Sequence, residues 1–450
     1  MTQAKGKLFI KTFGCQMNVH DSEKLRKILE VDYETATRPE DADLILVNTC
    51  SVRERPSQKL FSLLGEYRPL KKARPDLLIG VCGCVAQQEG VKIIKRDRSV
   101  DFVLGTQALS RIAEVIARVH QSGQPQVATE WRDSWEDLPL GFAVPGAVTV
   151  FAAISRGCNK ECSYCIVPQT RGREISRPAA EIERELALAV SQGAREVMLL
   201  GQTVNSYGRD LNPAWSFARL VERISLLDGL WRIRFTSPHP QETGLEFIQL
   251  FGEGGKVCRH VHLPLQSGSS RVLKRMNRHY TSEEYLSIIA ALRERVPDLA
   301  VTTDLIVGFP GETDADFEET LQVMRAARFE SSFSFMFSPR PNTAAAALEQ
   351  QIPEEVMLAR LHELQRVQQE LTAVELQSWI GKEVEVLLDG TSRAEEQCWQ
   401  GRMSQSIVVN LAKTLEPVKS GDLALVSITA SGRNTLRGEF VRLLRPSAAA

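Results

Sequence analysis

The chain has 450 residues, of which 43% are hydrophobic and 25% are charged, and its formal net charge is −1. This length predicts two or three domains with real hydrophobic cores, and the balanced charge excludes a surface that binds polyanions over its whole extent. The polar residues 1–7, the absence of an eighteen-residue apolar run and the nine cysteines grouped in short motifs predict a cytoplasmic protein without a signal peptide or membrane span.

The first 122 residues alternate strand and helix patterns. The predicted strands cover residues 8–13, 44–48, 77–81 and 102–104. The predicted helices cover 17–30, a stretch over 52–72 that is broken near Pro56 and Gly65, and a segment that ends at 119. This alternation predicts a doubly wound parallel α/β domain over residues 1–122. Residues 123–147 are rich in Gly, Pro and polar residues, which predicts a linker.

The β/α alternation resumes over residues 148–379. The predicted strands cover 148–154, 196–200, 232–236, 259–263, 300–307 and 332–337, with helices between them and a long helix over 353–378. This pattern predicts a partial (β/α)6 barrel. Over 380–445 the pattern changes to short alternating strands at 384–388, 406–409, 422–428 and 438–443, which predicts a small β-barrel.

Three cysteines follow the first strand of the predicted partial barrel. Cys158, Cys162 and Cys165 have the spacing C-x3-C-x2-C, on a loop of the kind that carries active sites in β/α barrels. A structural zinc site needs four protein ligands, but the next cysteine, Cys258, lies more than ninety residues away. Three thiolates suit a 4Fe-4S cluster with one open iron. A chance loop or a zinc knuckle is the alternative.

A second set of cysteines lies at the ends of the amino-terminal strands. Cys15 follows the first strand, Cys50 the second, and Cys82 and Cys84 the third. Strand carboxyl ends share one edge of a doubly wound sheet, so these thiols should converge. Cys15, Cys50 and Cys84 therefore predict a second open-site cluster, with Cys84 preferred because it lies in the turn beyond the strand. Each cysteine alone could equally be a small buried hydrophobe.

These motifs carry a specific resemblance. The C-x3-C-x2-C motif with Tyr164 before its last cysteine resembles the radical S-adenosylmethionine (SAM) signature. Together with residues 14–18, 48–54, 166–168, 171–177 and 265–269, it is similar to the methylthiotransferase family, MiaB branch, over nearly the whole chain. Three departures are Thr203, where this branch usually has Asn, Pro56, where it has Ala, and the additional Cys82.

The resemblance implies an auxiliary-cluster domain, a radical SAM core and a TRAM RNA-binding barrel, in that order. It implies two 4Fe-4S clusters, with Cys158, Cys162 and Cys165 as the catalytic ligands. One SAM would donate a methyl group to cluster-bound sulfur, and a second would be the source of a 5′-deoxyadenosyl radical. The product would carry a methylthio group on carbon 2 of N6-isopentenyladenosine beside the anticodon. The expected partners are the tRNA anticodon stem-loop and an electron donor such as flavodoxin or ferredoxin, and the chain is expected to be a monomer.

Further contacts are expected at the barrel strand ends and in basic groups. The residues expected to bind SAM are Tyr164, Gln202, Asn205, Ser237, Asp304 and Ile306. The residues expected to bind substrate RNA are Arg171, Arg173, Arg177, Lys274 and Arg278. An ordinary turn at 308–311 and a solvated basic face are the respective alternatives.

Two rival functions remain at this point. The same chemistry could act on threonylcarbamoyl-adenosine in tRNA or on an aspartate of a ribosomal protein. In another class, the cysteines could hold zinc in an RNA-binding protein without catalysis.

Overall fold

The structure is a computed structural model, and it describes residues 5–51, 56–135, 138–141, 146–392, 398–412 and 418–447. The described chain forms a parallel α/β sheet, a row of parallel strands backed by helices, and a closed β-barrel, in chain order. The predicted α/β class with a small carboxy-terminal β-barrel is confirmed. None of the described helices is both long enough and apolar enough to span a membrane.

The first sheet is built from short parallel strands. Its strands are β1 (Gly6–Thr12), β2 (Tyr33–Thr35), β3 (Leu44–Thr49), β4 (Leu78–Gly83), β5 (Phe102–Leu104) and β6 (Gln126–Ala128). Its helices are α1 (Gln16–Leu29), α2 (Pro56–Ala73), α3 (Cys84–Glu89), α4 (Val91–Arg96) and α5 (Ile112–Ser122). The strand order is β2-β1-β3-β4-β5-β6. Every residue of β3 and β4 is buried, because helices cover both faces of the sheet.

Three sequence-based expectations for this region are corrected. Strand β6 lies inside the predicted 123–147 linker, and β2 was not expected. Both have three residues and lack an apolar alternation, so their sequences carry no strand signal. Helix α2 runs unbroken through Gly65, because burial of Leu60, Leu64 and Tyr67 outweighs the roughly 1 kcal/mol cost of a helical glycine. The expected start of this helix at residues 52–55 lies outside the described residues.

The middle region alternates strands and helices. Its strands are β7 (Thr149–Ala153), β8 (Ser155–Arg156), β9 (Ile175–Ser176), β10 (Glu196–Leu200), β11 (Arg232–Phe235), β12 (His260–His262), β13 (Ala300–Val307) and β14 (Ser331–Met336). Its helices are α6 (Val167–Arg171), α7 (Ala179–Ser191), α8 (Phe217–Ser225), α9 (Leu245–Gln249), α10 (Ser270–Arg275), α11 (Ser282–Arg295), α12 (Asp314–Ala327) and α13 (Glu354–Gln377).

The long strands of this region form one row. The ladders β7-β10-β11 and β12-β13-β14 are joined by a parallel bridge between Ile233 and Val257. Alternate residues such as Val150, Leu199 and Leu305 pack against the surrounding helices in the main core. The other residues of each strand face the concave interior. Because β7 and β14 are not paired with each other in the described residues, the row is an open barrel with these strands beside the opening, as predicted.

The carboxy-terminal strands close into a small barrel. They are β15 (Glu383–Thr391), β16 (Cys398–Met403), β17 (Val408–Ala412), β18 (Leu423–Ser431) and β19 (Thr435–Arg445), in the order β15-β16-β17-β19-β18. Strand β16 was not expected, since it mixes polar and apolar residues. Arg232 and Arg234 of β11 donate to backbone carbonyls of this barrel, including that of Met403 at 2.7 Å. The small barrel therefore lies toward the amino-terminal side of the partial barrel.

Candidate active site

The loop between β8 and α6 directs three thiols into one cavity. Cys158, Cys162 and Cys165 line a cavity of about 440 Å³, together with residues of the 342–344 turn. Gly157 has a φ of +74°, and a Cβ there would lie 1.9 Å from the Arg173 carbonyl oxygen. Only glycine can bring the chain into this loop without displacing backbone.

Each of these sulfurs has a hydrogen-bonding neighbour. The Thr203 hydroxyl lies 3.3 Å from Cys158 Sγ, and the Val167 amide donates to Cys165 Sγ at 3.5 Å. Arg278 donates to Cys162 Sγ at 3.3 Å. Burial raises the pKa of Cys165 to about 12, so this thiol keeps its proton until a cation replaces it. The environment suits thiolates that are bound to a metal group.

The amino-terminal cysteines converge at the carboxyl edge of the first sheet. Cys15 caps the start of α1, and its thiol donates to Asn18 Oδ1 at 3.6 Å. A hydrogen bond with the Cys50 thiol lowers the pKa of Cys15 to about 5, although burial opposes this shift. At Gly14, which has a φ of +122°, a Cβ would lie only 2.5 Å from the Cys50 Cβ.

Cys84 lies next to the segment that carries Cys50, whereas Cys82 lies in the core of the sheet. Cys84 begins α3 directly after Gly83, where a Cβ would lie 2.4 Å from the Thr49 carbonyl oxygen. Cys82 is fully buried among core side chains of the sheet, and burial raises the pKa of its thiol to about 12. The geometry therefore favours Cys84 as the third residue of the set with Cys15 and Cys50.

Arg171 joins the two cysteine sets. It ends α6, just after the Cys165 loop, and it donates to Asp21 Oδ2 at 2.8 Å and to Asn18 Oδ1 at 3.1 Å on α1. Its side chain is buried. Burial lowers the pKa of Arg171, but attraction to Asp21 and to the thiols of the amino-terminal set outweighs burial and raises it well above its ordinary value. A permanent positive charge thus lies beside the amino-terminal cysteine set.

An apolar cluster places Cys15 against the interior of the partial barrel. Cys15 and Met17 pack with Ala153 of β7 and with residues of β10. A buried ion pair between Lys24 of α1 and Glu185 of α7 also joins α1 to the partial barrel. Cys15, at one end of the amino-terminal set, therefore lies against strands β7 and β10 of the partial barrel.

Two residues expected to bind SAM have structural partners. Both ends of the Asn205 amide are used by the backbone of His239, at 2.8 and 3.0 Å. Gln202 Oε1 accepts from the Gly157 amide at 2.5 Å, which holds the cysteine loop. These bonds hold Asn205 against the loop after β11 and give Gln202 a positioning contact, and SAM binding by both residues stays a prediction. The location of Asn205 and Gln202 after a strand end did not predict these hydrogen bonds.

The other expected SAM contacts lie along the barrel interior and its rim. Tyr164 is packed edge-on to Phe309 at 6.5 Å between ring centroids, in a cluster that also includes Ile306. Asp304 Oδ2 lies 3.4 Å from His262 Nε2. Ser237 follows β11 with a φ of 57°. Of the six residues, Asp304, Ile306, Ser237 and Tyr164 therefore retain positions compatible with a ligand in the interior.

The structure divides the five residues predicted to contact RNA into three buried and two exposed side chains. Arg171, Arg177 and Arg278 are buried and bonded within the protein, Arg177 to Glu185 at 2.5 Å and Arg278 to Cys162. Arg173 and Lys274 are exposed, and Arg173 also lines the Cys158 cavity. These two remain available for the predicted contact.

Sequence reasoning missed Asn18 and Asp21 as supporting residues. They stand three and six positions after Cys15 and share the face of α1 that meets Arg171. Asn18 also donates to the Thr49 carbonyl oxygen at 2.7 Å, next to Cys50. Helical spacing from Cys15 was the available signal.

The two cysteine sets fit 4Fe-4S clusters. In the described ranges, no three His, Cys, Asp or Glu side chains lie close enough together to hold a single metal ion. A cluster of four irons is larger than one ion and keeps its cysteine ligands further apart. Three thiols around a cavity of about 440 Å³ match that larger group.

Comparisons with known proteins agree with this arrangement. The Radical SAM superfamily model matches residues 153–324, and the uncharacterized protein family UPF0004 model matches residues 7–105. The tRNA-2-methylthio-N(6)-dimethylallyladenosine synthase of Geobacter metallireducens is 46% identical over 96% of this chain and 98% of its own length. The protein of that name from Nitrosospira multiformis is also 46% identical, over 97% of this chain and 93% of its own.

Solved structures show a shared fold at low identity. The radical S-adenosylmethionine methyltransferase TsrM from Kitasatospora setae, with cobalamin and a 4Fe-4S cluster bound, has a TM-score of 0.53 at 14% identity and covers 76% of this chain and 74% of its own. The cobalamin-dependent S-adenosylmethionine radical enzyme OxsB has a TM-score of 0.51 at 12% identity, over 81% of this chain and 56% of its own. These likenesses concern the fold alone.

Proposed function

The chain belongs to the tRNA-2-methylthio-N(6)-dimethylallyladenosine synthase family, and on that premise we propose how its two cysteine sets serve one reaction. The protein is a radical SAM methylthiotransferase that adds a methylthio group to carbon 2 of N6-dimethylallyladenosine in tRNA, next to the anticodon. It uses SAM and 4Fe-4S clusters. The observation that carries the proposal is the contact of Cys15 with β7 and β10 of the partial barrel, together with the Arg171–Asp21 ion pair that joins α1 to the helix after the Cys158 loop.

We assign one cluster to each cysteine set. Cys158, Cys162 and Cys165 would hold the cluster that binds SAM, and Cys15, Cys50 and Cys84 would hold the cluster that carries sulfur. When bound, these groups supply the radical and the sulfur that an unactivated C–H position such as adenine carbon 2 requires.

The chain's own residues hold the two sets and control their surroundings. The hydrogen bonds from Arg278 and the Val167 amide stabilise anionic sulfur at Cys162 and Cys165. Arg171 places a positive charge beside the amino-terminal set and ties α1 to α6. The apolar contacts of Met17 with β7 and β10 shield the Cys15 side of the amino-terminal set from water.

The remaining assignments extend this proposal. Residues 1–122 together with β6 would form the auxiliary-cluster domain, and the rest of residues 123–147 would form the linker. Residues 148–379 would form the radical SAM core, and residues 380–445 a TRAM barrel that binds RNA. A reduced flavodoxin or ferredoxin would supply electrons. The protein would work as a cytoplasmic monomer. Exposed Arg173 and Lys274 would contact the tRNA backbone.

Nucleoside mass spectrometry of tRNA tests this function. A strain that lacks the gene should lose 2-methylthio-N6-dimethylallyladenosine, accumulate the form without sulfur and recover on complementation. Retention of the methylthio nucleoside in that strain would contradict the proposal. Loss of the methylthio form of threonylcarbamoyl-adenosine, or of a modified ribosomal aspartate, would instead support the rival substrates.

A further inference from the structure

Strand β14 exposes two aromatic rings. Phe333 is 60% exposed and Phe335 is 38% exposed, although a phenylalanine usually contributes to a core. The two positions alternate along β14, so both rings project from the same face of this strand. Adjacent exposed rings on one strand form an apolar patch, and such patches mark binding surfaces.

This face is the interior of the open barrel. In the ladder with β13, Phe333 is opposite Asp304 and Phe335 is opposite Ile306. Leu305 and Val307, which alternate with Asp304 and Ile306 along β13, pack against the helices of the main core. The phenylalanines must therefore face away from the helices and into the concave space.

The surroundings of the rings combine polar and apolar groups. The His262 ring meets Phe333 edge-on at 6.0 Å between centroids, and His262 Nδ1 lies 2.9 Å from the Thr302 hydroxyl. Ile306, opposite Phe335, belongs to the cluster that contains Tyr164 of the cysteine loop. The patch thus extends from beneath the Cys158 loop along the end strand of the row.

The patch lies on the other side of the barrel opening from the amino-terminal cysteine set. Cys15 packs with Phe151 of β7, and β7 and β14 are the two strands beside the opening. A substrate base that enters between these strands would have Cys15 on one side and the two phenylalanines on the other.

We propose that Phe333 and Phe335 bind the target adenine and its dimethylallyl group. This inference rests on the proposed function and names the residues that recognise its substrate. Proteins bind an unstacked nucleobase by stacking it on aromatic side chains. Transfer of the branched five-carbon dimethylallyl group from water to an apolar surface is also favourable. His262 and Asp304 add polar partners at the edge of the same patch. The adenine of SAM is the competing occupant, and the experiment separates the two.

The test measures binding of two anticodon stem-loop RNAs to the anaerobically reconstituted full-length protein. The RNAs differ only in carrying N6-dimethylallyladenosine or adenosine at the target position, and SAM affinity is measured in parallel. The native protein should prefer the modified RNA. Phe333→Ala and Phe335→Ala should each weaken binding of the modified RNA by about tenfold, as expected for one lost aromatic contact, and reduce the preference.

Two further variants sharpen the result. Phe335→Leu keeps an apolar side chain and should retain most of the preference for the modified RNA. Val374→Ala removes an exposed apolar side chain from α13 and should change neither affinity. Because both phenylalanines are exposed, their replacement should leave the fold intact.

The outcomes are distinct. An unchanged preference in both alanine variants would overturn the inference while leaving the function standing. Loss of SAM affinity with an intact RNA preference would also overturn it, because the rings would then serve the cofactor. A native protein that binds both RNAs equally would contradict the proposed function and this inference with it.

Discussion

The guanidinium group of Arg171 donates a 2.8 Å hydrogen bond to the carboxylate of Asp21, which joins α6 of the open barrel to α1 of the first sheet. Neither side chain is exposed. Because α6 follows the Cys165 loop and α1 begins at Cys15, this ion pair is a direct link between the segments that carry the two cysteine sets.

We expect Arg171→Met to destabilise the protein by about 3–5 kcal/mol, because it leaves the buried Asp21 carboxylate without its guanidinium partner. Arg171→Met combined with Asp21→Leu removes both charges and should recover much of that loss. Thermal unfolding of the anaerobic protein measures both. If the double variant is as unstable as the sum of the single variants, the pair is not coupled.

Arg278→Gln should lower the reduction potential of the cluster on Cys158, Cys162 and Cys165. The Arg278 hydrogen bond to Cys162 withdraws electron density from the sulfur, and loss of such a bond lowers the potential by an amount on the order of tens of millivolts. An electron paramagnetic resonance redox titration measures the change. Lys274→Gln changes an exposed charge on α10 and is the control. Equal potentials in the native protein and Arg278→Gln would exclude this role.

Cys84→Ala and Cys82→Ala should differ in iron content. Two 4Fe-4S clusters correspond to about eight irons per chain, and Cys84→Ala should lose about half because the amino-terminal set then has two thiols. Cys82→Ala should keep the full content, since this thiol packs in the core. Iron analysis after anaerobic reconstitution distinguishes them. The reverse result would move the third ligand to Cys82.

Glu330→Gln should flatten the pH dependence of stability. Burial, together with the neighbouring Glu375, raises the pKa of Glu330 to about 7. The folded state therefore holds the proton more tightly than the unfolded chain, and stability falls as pH rises from about 4.5 to about 7. Removing this group should stabilise the protein at pH 8 by about 1–2 kcal/mol and little at pH 4. Parallel losses in the native and variant proteins across this range would contradict the assignment.

Much of the fold could be predicted from the sequence because buried parallel strands are rich in apolar residues. The strands at 102–104, 196–200 and 300–307 were predicted with the bounds that the structure has. The three-residue strands β2 and β6 were not predicted, because they are strands through their pairing with neighbouring strands and not through a sequence pattern of their own.

The sequence predicted where the cysteines of the candidate site lie better than it predicted which charged side chains are buried. The cysteines followed strand ends, and a parallel sheet brings those ends together. Arg171 and Arg278 were predicted to bind RNA because they stand in basic groups near the expected active face of the barrel, with a solvated basic face as the alternative. Their burial depends on packing between α1, α6 and the loops after β12, which linear spacing does not encode. The hydrogen bonds of the Asn205 amide to His239 depend on packing in the same way.

The central claim is that both cysteine sets act on one dimethylallyl-adenosine in tRNA. The most direct measurement is mass spectrometry of tRNA nucleosides after incubation with reconstituted protein, SAM and a reductant. The native protein should form 2-methylthio-N6-dimethylallyladenosine, whereas Cys15→Ala and Cys158→Ala should each form none. Formation of that nucleoside by either cysteine variant would contradict the account.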